Sequence, residues 1–366
     1  MCPSYSNKEV KKMNDVISII LAAGKSTRMN SEKSKVIHKI YGKEIILRVV
    51  EGAKKAGIKE IITVVGYQKE QVQEVLKDEV KYVTQEEMLG TGHAVMQAYE
   101  HLKGKKGKVV ILYGDVPLIR EQTLRNLIQA NEERKESATM LTAIYENPEG
   151  YGRIVRDSSG NIAEIIEEKD ASEEIKKIRE INSGIYCFDI EELALALKKL
   201  TPNNAKGEYY LTDVIKIMKD KGLKIGAVLV EDNTEILGVN DKIQLEILTK
   251  ILRFRINQEH MKNGVTIEDI NTTYIHDDVE IGQDTTIYPS TIIKSGVKIG
   301  KNCEIGPFTY IREGCDILDN VKVRKFCRTK KSKNRKRHKS AALIIFRRFR
   351  SRRKNKCRMW NNNMQL

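Results

Sequence analysis

The sequence has no C-x-x-C pair among its six cysteines, at 2, 187, 303, 315, 327 and 357, so the zinc and thioredoxin spacings are absent. Cysteines scattered in this way through 366 residues suit a reducing compartment. With only 6 Pro and 24 Gly, a disordered or collagen-like polymer is disfavoured. Long apolar runs are also missing. The first fifteen residues are polar and lack the apolar centre of a signal peptide, and the run at 341–346 is too short to cross a bilayer. These absences lead to the expectation of a cytoplasmic protein without membrane insertion. Acidic residues are missing from one segment. Residues 324–366 hold 18 Lys and Arg and no Asp or Glu, so the preceding 323 residues carry 47 basic against 50 acidic groups. The net charge of +15 and pI near 9.3 therefore belong to that segment, and no specific nucleic-acid partner is expected for the body.

Within the body, three periods follow one another. Residues 15–240 alternate apolar runs with amphipathic stretches. The runs at 16–21, 61–65 and 109–113 lead into Ala-Ala-Gly24, Gly66 and Gly114-Asp115, with helical spacing at 45–56 and 71–76. That order is the signature of an α/β fold with a parallel sheet, crossover helices and ligands at the strand ends. Residues 152–157 and 161–166, separated by Ser158-Ser159-Gly160, read as an inserted hairpin. Residues 241–264 place Ile243, Ile247, Ile251 and Phe254 at helical spacing before Gly264, which reads equally as a linking arm or as the last helix of the first domain. From 265 the chain changes again. Ile275, Ile281, Ile287, Ile293, Ile299, Ile305, Ile311, Ile317 and Val323 stand six apart, the mark of a parallel β-helix. Its left-handed form takes three hexads per turn, so 265–323 predicts an incomplete solenoid. The pattern stops at Arg324, and the acid-free segment 324–366, with the only Trp at 360, reads as a change of reading frame or as a basic arm. Residues 1–14 form an N-terminal extension.

Two phosphate motifs are absent: Ile19 stands where a Walker A loop needs Gly, and no G-x-G-x-x-G occurs. What is present is Leu21-Ala-Ala-Gly-Lys-Ser-Thr-Arg-Met29. Small residues let a phosphate approach the backbone, with Arg28 and Lys35 following to neutralise it. Asp115, at a strand end, suits a magnesium ion or the cap of the next helix. Gln85, with Gly90 and Gly92 opening a helix, could grip a flat base or form an ordinary turn. His38 and His93 have no evident acid or thiol partner and read as structural.

Taken in order, LAAGKSTRM with Lys35, Q-x4-GTGHA, YGDVPL, GYGRI, IIEEKD, EINSGIY, NNAKGEYYLTD and GVN resemble the bacterial bifunctional UDP-N-acetylglucosamine pyrophosphorylases/glucosamine-1-phosphate N-acetyltransferases. The resemblance runs from about 16 to 323. It implies a Rossmann-like nucleotidyltransferase domain, a helical arm and a left-handed β-helix, in a homotrimer supplying cell-wall and lipopolysaccharide precursors. It implies UTP and N-acetylglucosamine-1-phosphate as substrates and Mg²⁺ as cofactor. Leu21, Ala22, Ala23 and Gly24 would hold the nucleotide, Arg28 and Lys35 its phosphates, and Gln85, Gly90 and Thr91 the uracil. Asp115 and Asn240 would bind the metal. Gly152, Glu167 and Asn182 would hold the sugar, Tyr113 and Gly114 line the site, and Tyr210 and Thr212 lie near the N-acetyl group. Arg312 matches a substrate-binding Arg of the acetyltransferase half, and Lys330 falls where a second substrate residue is expected. The family's His and Tyr positions carry Ala342 and Ile345, so acetyl transfer is expected to be lost. Rival readings are another sugar nucleotidyltransferase, a nucleic-acid binder acting through the basic segment, and a catalytically silent sensor.

Overall fold

In the computed structural model, the described residues are 16–25, 27–323 and the short strands Arg328–Thr329 and Lys333–Asn334. The extension 1–14, Ser26, Lys330, Ala342, Ile345 and most of 324–366 lie outside them. The chain divides into two units, up to 251 and from 252 onward.

The strand Val16–Ala22 is buried along its whole length. Its alternate side chains feed two cores: Val16, Ile20 and Ala22 enter one, Ile17, Ile19 and Leu21 the other. A continuous apolar run therefore follows from burial on both faces. Around it the sheet runs Ile225–Leu229, Ala138–Ile144, Glu180–Asp189, Lys108–Tyr113, Val16–Ala22, Glu60–Val65, Lys81–Thr84. Helices Ile45–Lys55 and Glu121–Arg134 place Ile46, Val49, Leu124 and Leu127 on one face. Helices Thr91–Gln97, Ile190–Leu197 and Asp213–Asp220 place Val95, Leu193 and Ile215 on the other.

The expectation of a parallel sheet needs one correction. Glu180–Asp189 is antiparallel to both Lys108–Tyr113 and Ala138–Ile144. Its burial on both faces removes the alternation that marks most antiparallel strands, so its sequence looks like that of its parallel neighbours. The hairpin is present as Arg153–Arg156 and Ile162–Ile166, paired antiparallel at the sheet's side. The chain leaves Val16–Ala22 first toward Glu60–Val65 and later returns to Lys108–Tyr113 on its other side, which opens a crevice at the carboxyl ends of these strands.

Helix Lys242–Lys262 spans the division between the units, and Gly264 follows it at φ +88°. In the second unit, two-residue strands stack into three parallel sheets, a parallel β-helix. Ile287, Ile305 and Val323 share one sheet, Ile275, Ile293 and Ile311 a second, Ile281, Ile299 and Ile317 the third. Thr285, Cys303 and Val321, each two residues before an aliphatic, are buried beside them. Past 323 the backbone pairing continues: Ile311 faces Thr329 and Ile317 faces Asn334.

Candidate active site

Leu21 lies in register with Tyr113, and Ala22 with Val65. The ends of three strands therefore converge where 21–24, Gly66 and 113–115 leave the sheet. Gly114 N–H donates to Leu21 O at 2.9 Å, and Tyr67 N–H to Ala23 O at 3.1 Å. A Cβ on Gly66 would lie 2.4 Å from Met88 Cε and 2.9 Å from Ala23 O, so only glycine lets these loops close. The result is a cleft of about 250 Å³, lined by Leu21, Ala22, Ala23, Gly24, Lys35, Gln85, Met88, Gly90, Thr91, Ala94, Tyr113, Asp115 and Glu208.

Lys35 opens a single 3-10 turn, Lys35–Ile37, anchored where Ser34 N–H donates to Gln71 Oε1 at 3.0 Å. Its ammonium forms an ion pair with Asp115 and donates to Asn240 Oδ1 at 3.1 Å. Asn240 is set by its own N–H donating to Gln244 Oε1 at 2.7 Å, and Asp115 O accepts from Val239 N–H at 2.9 Å. Asp115 does not cap the next helix: Glu121–Arg134 has Arg120 at its N-cap, which removes the capping alternative. Gln85 is 3% exposed, and its Nε2 donates to Gly90 O at 3.1 Å. Gly90 has φ +106°, and a Cβ there would lie 2.6 Å from Tyr209 O. Thr91 Oγ1 accepts from Leu211 N–H at 3.1 Å, tying the helix start to the segment that carries Glu208.

A second group lies behind Tyr113. Asn182 N–H donates to Gly152 O at 2.9 Å, and Thr212 hydroxyl to Glu167 Oε1 at 3.2 Å. A Cβ on Gly152 would come 3.6 Å from the Glu167 carboxyl, and one on Gly184 would come 2.6 Å from the Tyr113 ring. Burial raises the Glu167 carboxyl above its ordinary range, against the pull of Thr212 and Lys206. The Tyr113 hydroxyl is pushed up by burial and by the Glu167 and Asp115 charges. The Tyr210 hydroxyl, raised to about 12 by burial and neighbouring acids, is buried without a hydrogen-bond partner among the described residues.

Ten of the residues expected from the sequence thus line the cleft: Leu21, Ala22, Ala23, Gly24, Lys35, Gln85, Gly90, Thr91, Tyr113 and Asp115. Asn240 joins them through Lys35, and Gly114 packs against Leu21 O and Ile46 beneath it. Gly152, Glu167 and Asn182 form the adjoining group. Arg28 sits exposed in the turn Thr27–Met29, outside the lining. Arg312 belongs to the other unit, just after strand Tyr310–Ile311. Met88, Ala94 and Glu208 were missed, although they lie inside the quoted motifs: Met88 and Ala94 carry no distinctive chemistry in sequence, and Glu208 is one acid among many.

A family model described as nucleotidyl transferase matches residues 17–241, which include the whole cleft. The chain belongs to the nucleotidyl transferase family. A second model, bacterial transferase hexapeptide (six repeats), matches 296–331 of this nucleotidyl transferase. Bifunctional protein GlmU of Acetivibrio thermocellus is 54% identical over 282 residues, covering 77% of this chain and 61% of the relative. That of Clostridioides difficile is 50% identical over 277 residues, covering 76% and 60%. The chain therefore spans about three fifths of the length of these relatives. Among solved structures, one described as a glucose-1-phosphate thymidylyltransferase of Bacillus anthracis in complex with a sucrose matches with TM-score 0.54 and 20% identity. It covers 64% of this chain and 94% of that one, a likeness of fold.

Proposed function

We propose that this nucleotidyl transferase moves a uridylyl group from UTP to N-acetylglucosamine-1-phosphate, giving UDP-N-acetylglucosamine and pyrophosphate. The observation that carries the reading is the convergence of Lys35, Asp115 and Asn240 at a glycine-edged cleft whose lining, among the described residues, includes no Ser, Cys or His. A sugar phosphate oxygen is already anionic and needs no general base. Catalysis then reduces to alignment and charge neutralisation during in-line displacement at the α-phosphorus. In this reading the backbone of 21–24 receives the phosphates, Lys35 bridges them and Arg28 neutralises the departing pyrophosphate. Gln85, Gly90 and Thr91 read the base. Gly152, Glu167 and Asn182 hold the sugar, with Tyr113 and Gly114 between the two groups and Tyr210 and Thr212 toward the N-acetyl substituent.

The residues fit a divalent cation. The Asp115 carboxylate and the Asn240 amide oxygen already converge on one cation, the Lys35 ammonium. Two protein oxygens suit Mg²⁺, which keeps its other positions for phosphate and water. Asp115 and Asn240 would hold it, and when bound it neutralises negative charge on the phosphates. Lys35, held by Asp115 and Asn240, orients the triphosphate along the strand ends.

Acetyl transfer is outside this reading, because Ala342 and Ile345 stand at the expected His and Tyr positions. A trimeric state, a cytoplasmic location and a role in cell-wall precursor supply belong to the proposal through the resemblance of the sequence motifs. The test is Asp115→Ala. It is expected to lower UTP-dependent pyrophosphate release by at least about a hundredfold while circular dichroism and Tm stay near wild type. Undiminished release would defeat the assignment.

A further inference from the structure

His93 has no role in the scheme above, yet it is one of two groups that hold the Gln85 side chain. Gln85 Nε2 lies 3.1 Å from Gly90 O and 3.1 Å from His93 Nδ1. A carbonyl oxygen cannot donate, so the Gln85 atom facing Gly90 O must be the amide nitrogen. Its second N–H then points at His93 Nδ1, which must accept, and the ring proton is placed on Nε2. Gln97 Nε2 stands 3.0 Å from that ring nitrogen and 3.3 Å from His93 O, so a ring proton on Nε2 requires the Gln97 amide to turn and present its oxygen, giving up the bond to His93 O. The reverse tautomer would set two acceptors, Gln85 Oε1 and Gly90 O, against each other in a buried place. Gln97 is only partly buried, and its amide can exchange the His93 O contact for water as it turns; Gln85 is 3% exposed and cannot turn.

With both N–H groups engaged, the Gln85 amide has only Oε1 left. That oxygen is not among the buried atoms lacking a partner, and Gln85 lines the cleft. The geometry points to His93 as a positioning residue that fixes the Gln85 amide so that the cleft offers an acceptor, selecting a pyrimidine with a ring N–H, uracil, over cytosine. The inference rests on the uridylyl-transfer reading. Uracil N3–H can donate to Oε1, whereas cytosine N3 would set a lone pair against it. A site built around such a bond rejects a base that lacks the donor.

The test has two parts. In the full chain, the ¹⁵N shifts of the His93 ring, assigned by comparison with His93→Asn, are expected to show the neutral Nε2–H tautomer. The Nδ1–H tautomer would overturn the lock. Second, the UTP:CTP ratio of kcat/KM is measured for wild type, His93→Asn and His93→Leu. Asn keeps an acceptor close to the Nδ1 position and is expected to hold the wild-type ratio. Leu removes the acceptor and is expected to lower the ratio about fivefold, the worth of one neutral hydrogen bond. Equal losses for UTP and CTP in the Leu variant would mean a merely structural role and overturn the proposal. A wild-type chain that uses neither nucleotide would sink the uridylyl-transfer reading and the base selection together, while the ring tautomer would still decide the lock separately.

Discussion

At Gly24 an added Cβ would meet nothing within 4 Å among the described residues. The position therefore has no packing reason to be glycine, and its backbone lies on the cleft wall. Gly24→Ala is expected to leave Tm unchanged or slightly raised, since it reduces the freedom of the unfolded chain. It should raise KM for UTP severalfold by standing between phosphate and backbone. An unchanged KM would place the phosphates elsewhere. Glu167 offers a second residue-level test. Its carboxyl is raised chiefly by burial, with Asp213 and Asp170 adding and Thr212 and Lys206 opposing. The folded protein then keeps this proton to higher pH than the unfolded chain does. Stability is lost as pH rises from the ordinary carboxylate range through the folded value. Glu167→Gln is expected to raise Tm at pH 7 to 8, with the gain vanishing toward pH 4. A gain of equal size at both pH values would show that the charge is not its source.

Individual elements carry constraints of another kind. In the solenoid, a Cβ on Gly300 would lie 2.3 Å from Asp319 Oδ1 and 2.6 Å from Asp319 N. The neighbouring coil's backbone cannot yield cheaply. Gly300→Ala is expected to destabilise the second unit by about 1 to 3 kcal/mol, read by chemical denaturation. No change would mean the coils at Gly300 and Asp319 do not stack in contact. The six-residue aliphatic spacing made this element legible because every third hexad returns to the same sheet. Its second buried layer was not legible. Thr, Cys and Val share those positions, and Thr285 compensates its burial by donating to Gly300 O at 2.8 Å. In the sheet, the strands that end in Gly or Asp were legible from their apolar runs. The antiparallel direction of Glu180–Asp189 was not. Strand direction is fixed by pairing, and this strand shifts register between Asn182 and Tyr186, where Gly184 at φ +80° packs on the Tyr113 ring. Motif residues therefore marked the strand as part of the site, while the contact that delivers it appears only in three dimensions. The Lys35–Asp115 pair is similar: the residues were singled out, but their union across 80 positions is a product of the fold.

Across the whole molecule, each unit has its own apolar core. The two cores of the sheet draw on residues between 16 and 236, and that of the solenoid on residues from 256 onward. All cleft-lining residues fall in the first unit. A chain ending at 264 is expected to keep pyrophosphate release within about twofold of the full chain, since no proposed contact to the triphosphate comes from beyond Asn240. Loss of activity on that truncation, with folding intact, would assign the solenoid a part in uridylyl transfer. The purified chain is given UTP, N-acetylglucosamine-1-phosphate and Mg²⁺, and both products are quantified. Pyrophosphate and UDP-N-acetylglucosamine are predicted to appear in equal amounts, only when all three components are present. Preferential turnover of ATP or dTTP, or no product at all, would contradict uridylyl transfer.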